Sequence, residues 1–320
     1  MARLLNPLFL AGLGAGAAAA AIAATRALSS SPPPDASVIL ITGGSRGLGY
    51  AIASRFARRP VRIVLAARDR LELATAQQSL LDEHPHLNPS DFYLVDADLS
   101  NPSECHRLVD EALARFGRID VLVNNAGIIE VGPAECHQLD AFYRAMHVHF
   151  YAPLHILWAA LPHLRQQYPA PGWNRRAAIV NIASIGGKVA VPHMLPYTTS
   201  KFALVGLSQG LHVELRKENI HVTTVCPGLM RSGGEEHAQF IGDVEAERRW
   251  FNFCANAPLL SASIEHAACR IYSAVSHGCA EITITPHAWL AARITGLCPA
   301  TTQYVSALAN EYILPAAPQP

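Results

Sequence analysis

A tyrosine and a lysine stand four residues apart in the stretch LPYTTSKFALVG, at Tyr197 and Lys201. On a helix, residues at i and i+4 lie on the same face, so the phenol and the ammonium are predicted to be neighbours. A nearby cation favours the ionised phenol and lowers its pKa from about 10 toward neutrality. Tyr197 is therefore a candidate general acid or base. An ordinary pair on a partly exposed helix has the same spacing, so the spacing alone does not establish this chemistry.

A glycine-rich turn, TGGSRGLG, follows the first apolar run of the sequence. Its glycines let the backbone turn tightly and approach a ligand, and the helix behind them offers free N–H groups and a positive dipole to a pyrophosphate. The strand–turn–helix context predicts a dinucleotide cradle, with an ordinary tight turn as the alternative. The predicted cradle residues are Thr42, Gly43, Ser45, Arg46, Gly47, Leu48 and Gly49.

The second predicted strand ends in VLAARD, where NAD-binding folds usually place an acid on the ribose 2′-hydroxyl. Here Arg68 stands near that point and Asp69 comes one residue later. Arg46 adds a second guanidinium from within the glycine turn. Two guanidiniums suit a 2′-phosphate, so the sequence predicts NADPH in preference to NADH. The alternative is that Arg68 caps the following helix or lies in solvent.

Apolar runs alternate with helical patterns along most of the chain. The predicted strands are 38–41, 61–66, 92–95, 119–123, 178–182, 221–225 and 281–285. The predicted helices are 47–59, 69–83, 101–116, 139–167 with Pro153 and Pro162 as candidate kinks, 196–217, 235–255 and 263–276. This alternation predicts an α/β fold with a mostly parallel seven-stranded sheet covered by helices on both faces. In such a sheet the ligand lies at the carboxyl ends of the strands.

Together, TGGSRGLG, the NNAG segment that begins at Asn124, and Tyr197-x-x-x-Lys201 resemble the motifs of the short-chain dehydrogenase/reductase family. Ser184 stands 13 residues before Tyr197, at the end of IVNIAS, as in that family. The resemblance covers about residues 37–285 and implies a single doubly wound Rossmann-type domain. It implies that Tyr197 exchanges a proton with the substrate, that Lys201 lowers the Tyr197 pKa and bonds the nicotinamide ribose, and that Ser184 holds the substrate oxygen.

The same resemblance assigns further positions to the cofactor. Asp98, with Leu99 beside it, looks like the acid near the adenine, and Asn125, Ala126 and Gly127 look like the segment that closes the cofactor site. Pro227 and Gly228 resemble the turn that borders the nicotinamide, and Ser232 takes the place of a hydroxyl that commonly meets the carboxamide.

His149 departs from the family pattern. Relatives often read V-N-x-x-G where this chain reads VHFYA, so His149 stands in place of an asparagine that supports a water chain to the lysine. Imidazole both donates and accepts, so His149 is a candidate proton relay, with a neutral packing residue as the equal alternative. Activity is expected to survive His149→Asn, with a shifted pH profile if the relay exists.

The substrate wall is expected after Pro227-Gly228, where the segment carries Trp250, Phe251 and Phe253 and where Gly233 and Gly234 allow a lid to move. Three residues near Tyr197 are expected to add to the pocket: Ile185, His193 and Met194. This apolar wall favours a lipophilic ketone or alcohol, although the aromatic residues could equally be ordinary core.

Composition limits the other possibilities. The chain has 320 residues, of which 50% are hydrophobic and 16% charged, with a formal net charge of zero. The absence of a basic surface argues against nucleic-acid binding. The seven cysteines show no CxxC spacing, which is typical of reduced thiols, and the sequence has no HExxH or Cys/His cluster that predicts a metal site.

Residues 4–25 carry no charge and are long enough to cross a bilayer. An uncleaved anchor is favoured, which implies a membrane-associated protein on the cytoplasmic side. A signal peptide cleaved after Ala21-Ile22-Ala23, leading to export, and a soluble tail on a cytoplasmic protein are the alternatives. The predicted organisation is this segment with a proline-rich linker at 1–36, the catalytic domain at 37–285 and a helical extension at 286–320, which packs on the domain, a partner subunit or a membrane surface.

These observations predict an NADPH-dependent oxidoreductase that interconverts a carbonyl and a secondary alcohol, with no metal. The alternatives are an epimerase or dehydratase acting on a nucleotide sugar with the same cofactor fold, and a non-catalytic NADP sensor. The family resemblance implies a homodimer or homotetramer.

Overall fold

The computed structural model describes residues 33–168, 176–233, 236–257 and 261–316. Seven strands form the main sheet in the order β3-β2-β1-β4-β5-β6-β7, and all six pairings between neighbours are parallel. The predicted doubly wound Rossmann-type fold is confirmed. The strands are β1 Val38–Thr42, β2 Arg62–Ala67, β3 Phe92–Asp96, β4 Val121–Asn124, β5 Ala177–Ile182, β6 Ile220–Cys226 and β7 Glu281–Thr283.

The sheet is buried on both faces because its strands are apolar at successive positions. All five residues of β1 are buried. Since side chains alternate across a strand, Ile39 and Ile41 enter one core layer while Val38 and Leu40 enter the other. Two hydrophobic layers, one on each face, therefore hold the strand ends in place.

Ten helices lie in the described residues. They are α1 Gly47–Ala57, α2 Arg70–Glu83, α3 Pro102–Phe116, α4 Leu139–Met146, α5 Ala152–Gln167, α6 Leu195–Leu215, α7 Val244–Asn256, α8 Ile264–His277, α9 Pro286–Leu297 and α10 Pro299–Tyr312. The core layer that contains Ile39 also contains Phe56 of α1 and Ile271 of α8, and the layer that contains Val38 contains Leu108 of α3 and Ile156 of α5.

Within the sheet, β2 and β3 lie on one side of β1, and after β3 the chain returns to form β4 on the other side of β1. The strand order therefore reverses between β1 and β4, and a crevice opens at the carboxyl ends of these two strands. The glycine turn after β1 and the NNAG segment after β4 both begin there.

The helices predicted over 139–167 are present, but the prediction missed the element that lies between them. A five-residue π turn, His147–Tyr151, separates α4 from α5. Pro153 lies in the first turn of α5, directly after the π turn, and Pro162 lies inside that helix. A π turn shifts the hydrogen-bond register by one residue, and it often marks a functional site.

The helical region predicted over 235–255 is too long. Within the described part of that segment, Gln239–Phe240 pairs with Glu130–Val131 as a short parallel strand, and α7 begins only at Val244. A second short pair joins Leu229–Arg231 to Ser261–Ser263. Gly234, one of the two glycines of the expected lid, lies outside the described residues.

The predicted membrane segment at 4–25 lies outside the described residues, so it stays a prediction. Among the helices of the described ranges, none combines the length and the apolar character needed to cross a bilayer. The C-terminal extension folds into α9 and α10, and these helices expose several large apolar side chains: Trp289, Leu290, Ile294, Leu297, Tyr304, Val305, Leu308 and Tyr312.

Candidate active site

The glycine turn after β1 has a shape that only glycine permits. Gly43 and Gly47 have positive φ angles of 62° and 54°. A Cβ on Gly49 would lie 2.0 Å from the Gly43 carbonyl oxygen, and one on Gly47 would lie 3.4 Å from the backbone oxygen of Ser232. No side chain caps the N-terminus of α1, so its first N–H groups suit an anionic ligand. The turn and the helix together fit the pyrophosphate of a dinucleotide.

Hydrogen bonds join the glycine turn to the segment after β4. The Thr42 hydroxyl oxygen accepts from the backbone N–H groups of Asn125 at 2.9 Å and Ala126 at 3.1 Å. The Asn125 side-chain amide donates to the carbonyl oxygens of Thr42 and Gly43, both at 3.0 Å. The two segments therefore form one rigid wall of the crevice.

The first asparagine of NNAG faces the core. The Asn124 side chain donates to Asn181 of β5 at 2.8 Å, and both residues are buried. Gly127 lies against the π turn, because a Cβ there would be 3.1 Å from Nε2 of His149. These contacts hold β4 and the segment that follows it in place.

The adenosine end of the crevice carries a charge arrangement that sequence reasoning missed. Arg68 is exposed and makes no hydrogen bond or ion pair with another described residue, whereas Asp69 caps α2 by accepting from the N–H groups of Leu71 and Glu72. Arg46 forms an ion pair with Glu72 at 2.6 Å, and Ser45 donates to the same carboxylate at 3.0 Å. The only sequence signal for this contact is that Glu72 lies in the first turn of the helix predicted after VLAARD.

The predicted adenine acid is positioned by its own loop. One carboxylate oxygen of Asp98 accepts from the backbone N–H of Ser100 at 3.0 Å and from its hydroxyl at 2.8 Å. Leu99 is buried beneath this loop, with 7% of its surface exposed. Asp98 itself is exposed, and the buried Leu99 anchors the turn that carries it.

The Pro227-Gly228 turn joins the strand end of β6 to its neighbours. The Pro227 carbonyl accepts from the Ile185 N–H at 2.7 Å. A Cβ on Gly228 would lie 2.2 Å from the Thr285 hydroxyl oxygen, so the start of α9 packs closely on this turn. The turn thus lies beside the segment that carries Ser184.

Ser184, Tyr197 and Lys201 converge at the carboxyl end of β5. A Cβ on Gly186 would be 3.3 Å from Cε1 of Tyr197 and 3.4 Å from Oγ of Ser184, so the ring and the hydroxyl approach each other over this glycine. The Lys201 ammonium nitrogen lies 5.6 Å from the centre of the Tyr197 ring and donates to the Ile182 carbonyl at 2.9 Å. The phenol and the ammonium are neighbours, as the i, i+4 spacing predicts.

The pKa directions differ from the sequence prediction. Burial raises the pKa of Tyr197 above its ordinary value, and a hydrogen bond with Ser184 opposes that rise. Burial also lowers the pKa of Lys201 from 10.5 to about 7. The Lys201 side chain is therefore only partly protonated near neutral pH, and its nitrogen donates to a backbone carbonyl. Desolvation thus outweighs the attraction that was expected to lower the Tyr197 pKa.

His149 is held by two hydrogen bonds in the π turn. Its Nε2 accepts from the Ile128 N–H at 3.0 Å, and its Nδ1 lies 2.8 Å from the hydroxyl oxygen of Ser200. Ser200 donates in turn to the Tyr197 carbonyl at 2.8 Å. Burial, and next the charge of Lys201, place the pKa of His149 well below 6.5. The ring is therefore neutral with a proton on Nδ1, an arrangement that favours the packing alternative over the relay.

Apolar side chains predominate on the substrate side of the site. Met194 and Phe251 are buried in a cluster with Val131, and the half-buried Tyr197 and Trp250 pack against it. His193 is also buried, and its ring lies edge-on to Trp250. Phe253 was expected in this wall, but it is 73% exposed because it lies on the outer face of α7. Ile185 is half-buried at the start of the short turn after Ser184.

Comparisons with known proteins agree with this geometry. The family model described as short chain dehydrogenase matches residues 37–239. A dehydrogenase/reductase SDR family protein 7-like from Anopheles gambiae is 34% identical over 198 residues, which cover 62% of this chain and 60% of the relative. The 11-beta-hydroxysteroid dehydrogenase-like 4A of Arabidopsis thaliana is 34% identical over 202 residues, covering 62% of each chain. The chain thus spans about three fifths of the length of these curated relatives.

Solved structures share the fold. A short-chain dehydrogenase/reductase from Burkholderia phymatum in complex with NAD superimposes with a TM-score of 0.74 at 24% identity, covering 83% of this chain and 95% of the other. The L-sorbose reductase of Gluconobacter frateurii, complexed with NADPH and L-sorbose, gives a TM-score of 0.67 at 24% identity over 79% and 96% of the two chains. Since the family model matches more than half of the 320 residues, the chain belongs to the short-chain dehydrogenase/reductase family.

Proposed function

We propose that the chain is an NADPH-dependent oxidoreductase that interconverts a carbonyl and a secondary alcohol. The observation that carries the proposal is the convergence of Ser184, Tyr197 and Lys201 beside a glycine turn that fits a dinucleotide. A non-catalytic NADP sensor needs the glycine turn but not these three side chains.

Each of the three side chains has a chemical role in this proposal. Ser184 donates a hydrogen bond to the substrate oxygen and stabilises the charge that develops there. Tyr197 gives a proton to that oxygen during reduction and removes it during oxidation. Lys201, with a pKa lowered to about 7, becomes fully charged when an anionic group or the ionised phenol lies near it. When bound, NADPH would supply the hydride in the reduction, and NADP⁺ would accept it in the oxidation.

The preference for NADPH rests on the positive charge at the adenosine end. Arg68 has no acidic partner among the described residues, and Asp69 is engaged in capping α2. A guanidinium grips a phosphate bidentately, whereas an acid in this place would bond a ribose hydroxyl. Arg46 is shared with Glu72, so Arg68 is the main binding group for the 2′-phosphate and Arg46 is the second.

The proposed substrate is lipophilic. The wall beside Tyr197 is built from Met194, Phe251 and the ring of Trp250, so the side chains that pack with the Tyr197 ring are apolar. The plant relative's name, a hydroxysteroid dehydrogenase-like protein, agrees with such a substrate. Pairing of subunits and membrane attachment through residues 4–25 stay predictions.

Tyr197→Phe tests the proposal. The variant removes only the phenolic oxygen, so reduction of a panel of ketones is expected to fall by about 100- to 10,000-fold while NADPH binding persists. Tyr93→Phe is the matched control, because that hydroxyl contacts Glu111 on the far edge of the sheet. Turnover that survives in Tyr197→Phe, or a wild-type protein that binds NADPH but reduces no carbonyl, contradicts the proposed function.

A further inference from the structure

A fully buried carboxylate lies on the substrate side of the cleft. Glu247, on α7, has no exposed surface. One of its oxygens lies 2.7 Å from Nδ1 of His193, and the other accepts from the indole N–H of Trp250 at 2.6 Å. Both oxygens are therefore occupied by donors from the protein itself.

The partner of Glu247 belongs to the segment that leads into the helix of Tyr197. His193 stands four residues before Tyr197, and its φ of 60° is in the left-handed region that few non-glycine residues adopt. Its carbonyl also accepts from the Gly132 N–H at 2.7 Å. Contacts made by the His193 side chain and by the His193 carbonyl thus hold the backbone of this residue in an uncommon conformation.

The pair is embedded in the apolar wall that faces Tyr197. Val131, Met194 and Phe251 are buried there, and Tyr197 and Trp250 pack on them. Removing one member of a buried hydrogen-bonded pair leaves the polar group of the other without that partner, which costs more than the loss of a surface contact. A buried Glu in this wall therefore ties α7 strongly to one place.

We propose that His193 and Glu247 are positioning residues that hold α7 against the segment preceding Tyr197 and thereby set which carbonyl substrates the cleft accepts. This inference rests on the proposed function. The pair acts on the wall and makes no contact with the reacting atoms. Breaking it lets α7 move away from Tyr197, so bulky substrates lose more apolar contact than small ones.

Kinetics with two substrates test the inference. In Glu247→Ala and His193→Ala, the ratio of kcat/KM for a long-chain ketone to that for a short-chain ketone is expected to fall about tenfold, with the NADPH Kd unchanged. His193→Asn restores the ratio to within about threefold, because asparagine tolerates the left-handed backbone and places an N–H near the Nδ1 position. Glu245→Ala is the matched control, since Glu245 lies exposed on the same helix. An unchanged ratio in both alanine variants overturns the inference.

Hydrogen exchange separates this inference from the proposed function. In the full chain, Glu247→Ala is expected to speed amide exchange across α7 by about 10- to 100-fold, while exchange in α1 stays as in the wild type. If the alanine variant fails to fold, Trp250→Phe, which removes the indole N–H donor together with the five-membered ring, is expected to give a smaller change in the same direction. Unchanged exchange in α7 overturns the positioning role. If the wild type reduces no ketone but Glu247→Ala still speeds amide exchange in α7, the proposed function is rejected and the role of the pair in holding α7 stands.

Discussion

Because the Glu72 carboxylate contacts Arg46, we expect Glu72 to weaken the binding of NADPH. The Glu72 carboxylate lies 2.6 Å from the guanidinium that is expected to help hold the 2′-phosphate. Two anions that share one guanidinium are separated by about 5 Å, so they repel by about 1 to 3 kcal/mol for a phosphate charge of about −1.5 to −2 at an effective dielectric of about 50 to 80, which is appropriate to a half-exposed site. The Arg46 and Glu72 side chains are 47% and 39% exposed, which places the effect toward the lower end of that range.

Glu72→Gln is therefore expected to tighten NADPH binding by about tenfold and to change NADH binding by no more than about twofold. Glutamine keeps hydrogen-bonding capacity toward Ser45 and Arg46 but removes the negative charge. The assay is a fluorescence titration of each coenzyme, repeated at high salt, where screening reduces the difference between variant and wild type. Glu104→Gln is the control, because Glu104 forms an equivalent ion pair with Arg107 on α3.

Two results would refute this reasoning. If NADPH binds more weakly to Glu72→Gln, then Glu72 orients Arg46 for the phosphate, and orientation outweighs repulsion. If both coenzymes gain affinity equally, then Glu72 acts on the glycine turn through Ser45 and has no role in discriminating the 2′-phosphate.

Three further predictions follow from burial and close packing. Because the pKa of Lys201 is lowered from 10.5 to about 7, the unfolded chain binds more protons than the folded chain between these values, so stability rises with pH by up to about 1.4 kcal/mol per unit. Lys201→Met should remove that slope when denaturant unfolding is followed across pH; a slope that persists contradicts the assignment. His149→Asn should leave the kcat/KM profile between about pH 6 and 9 in place, because the ring is neutral throughout, and a displaced profile would revive the proton relay. Gly49→Ala, whose Cβ would lie 2.0 Å from the Gly43 oxygen, should weaken NADPH binding by about 10- to 100-fold in the same titration, and unchanged affinity would show that the turn yields at no cost.

The positions of the strands and helices were predictable because they depend on short-range patterns. Continuous apolar runs mark strands that are buried on both faces, and the glycines after Thr42 mark a turn that other residues cannot form. The neighbourhood of Tyr197 and Lys201 follows from helical spacing alone. The π turn around His149 was not predictable, since it arises from a one-residue shift in hydrogen bonding that leaves no mark in the apolar period.

The sequence by itself determined the order of the elements, the glycine turn and the i, i+4 pair, because each depends on residues that are near one another in the chain. The tertiary structure alone decided which distant groups meet. Glu72 reaches Arg46 across 26 positions and Glu247 reaches His193 across 54, and neither separation has a local signature. The pKa directions of Tyr197 and Lys201 likewise depend on burial, which is set by packing from the whole fold rather than by the neighbouring residues.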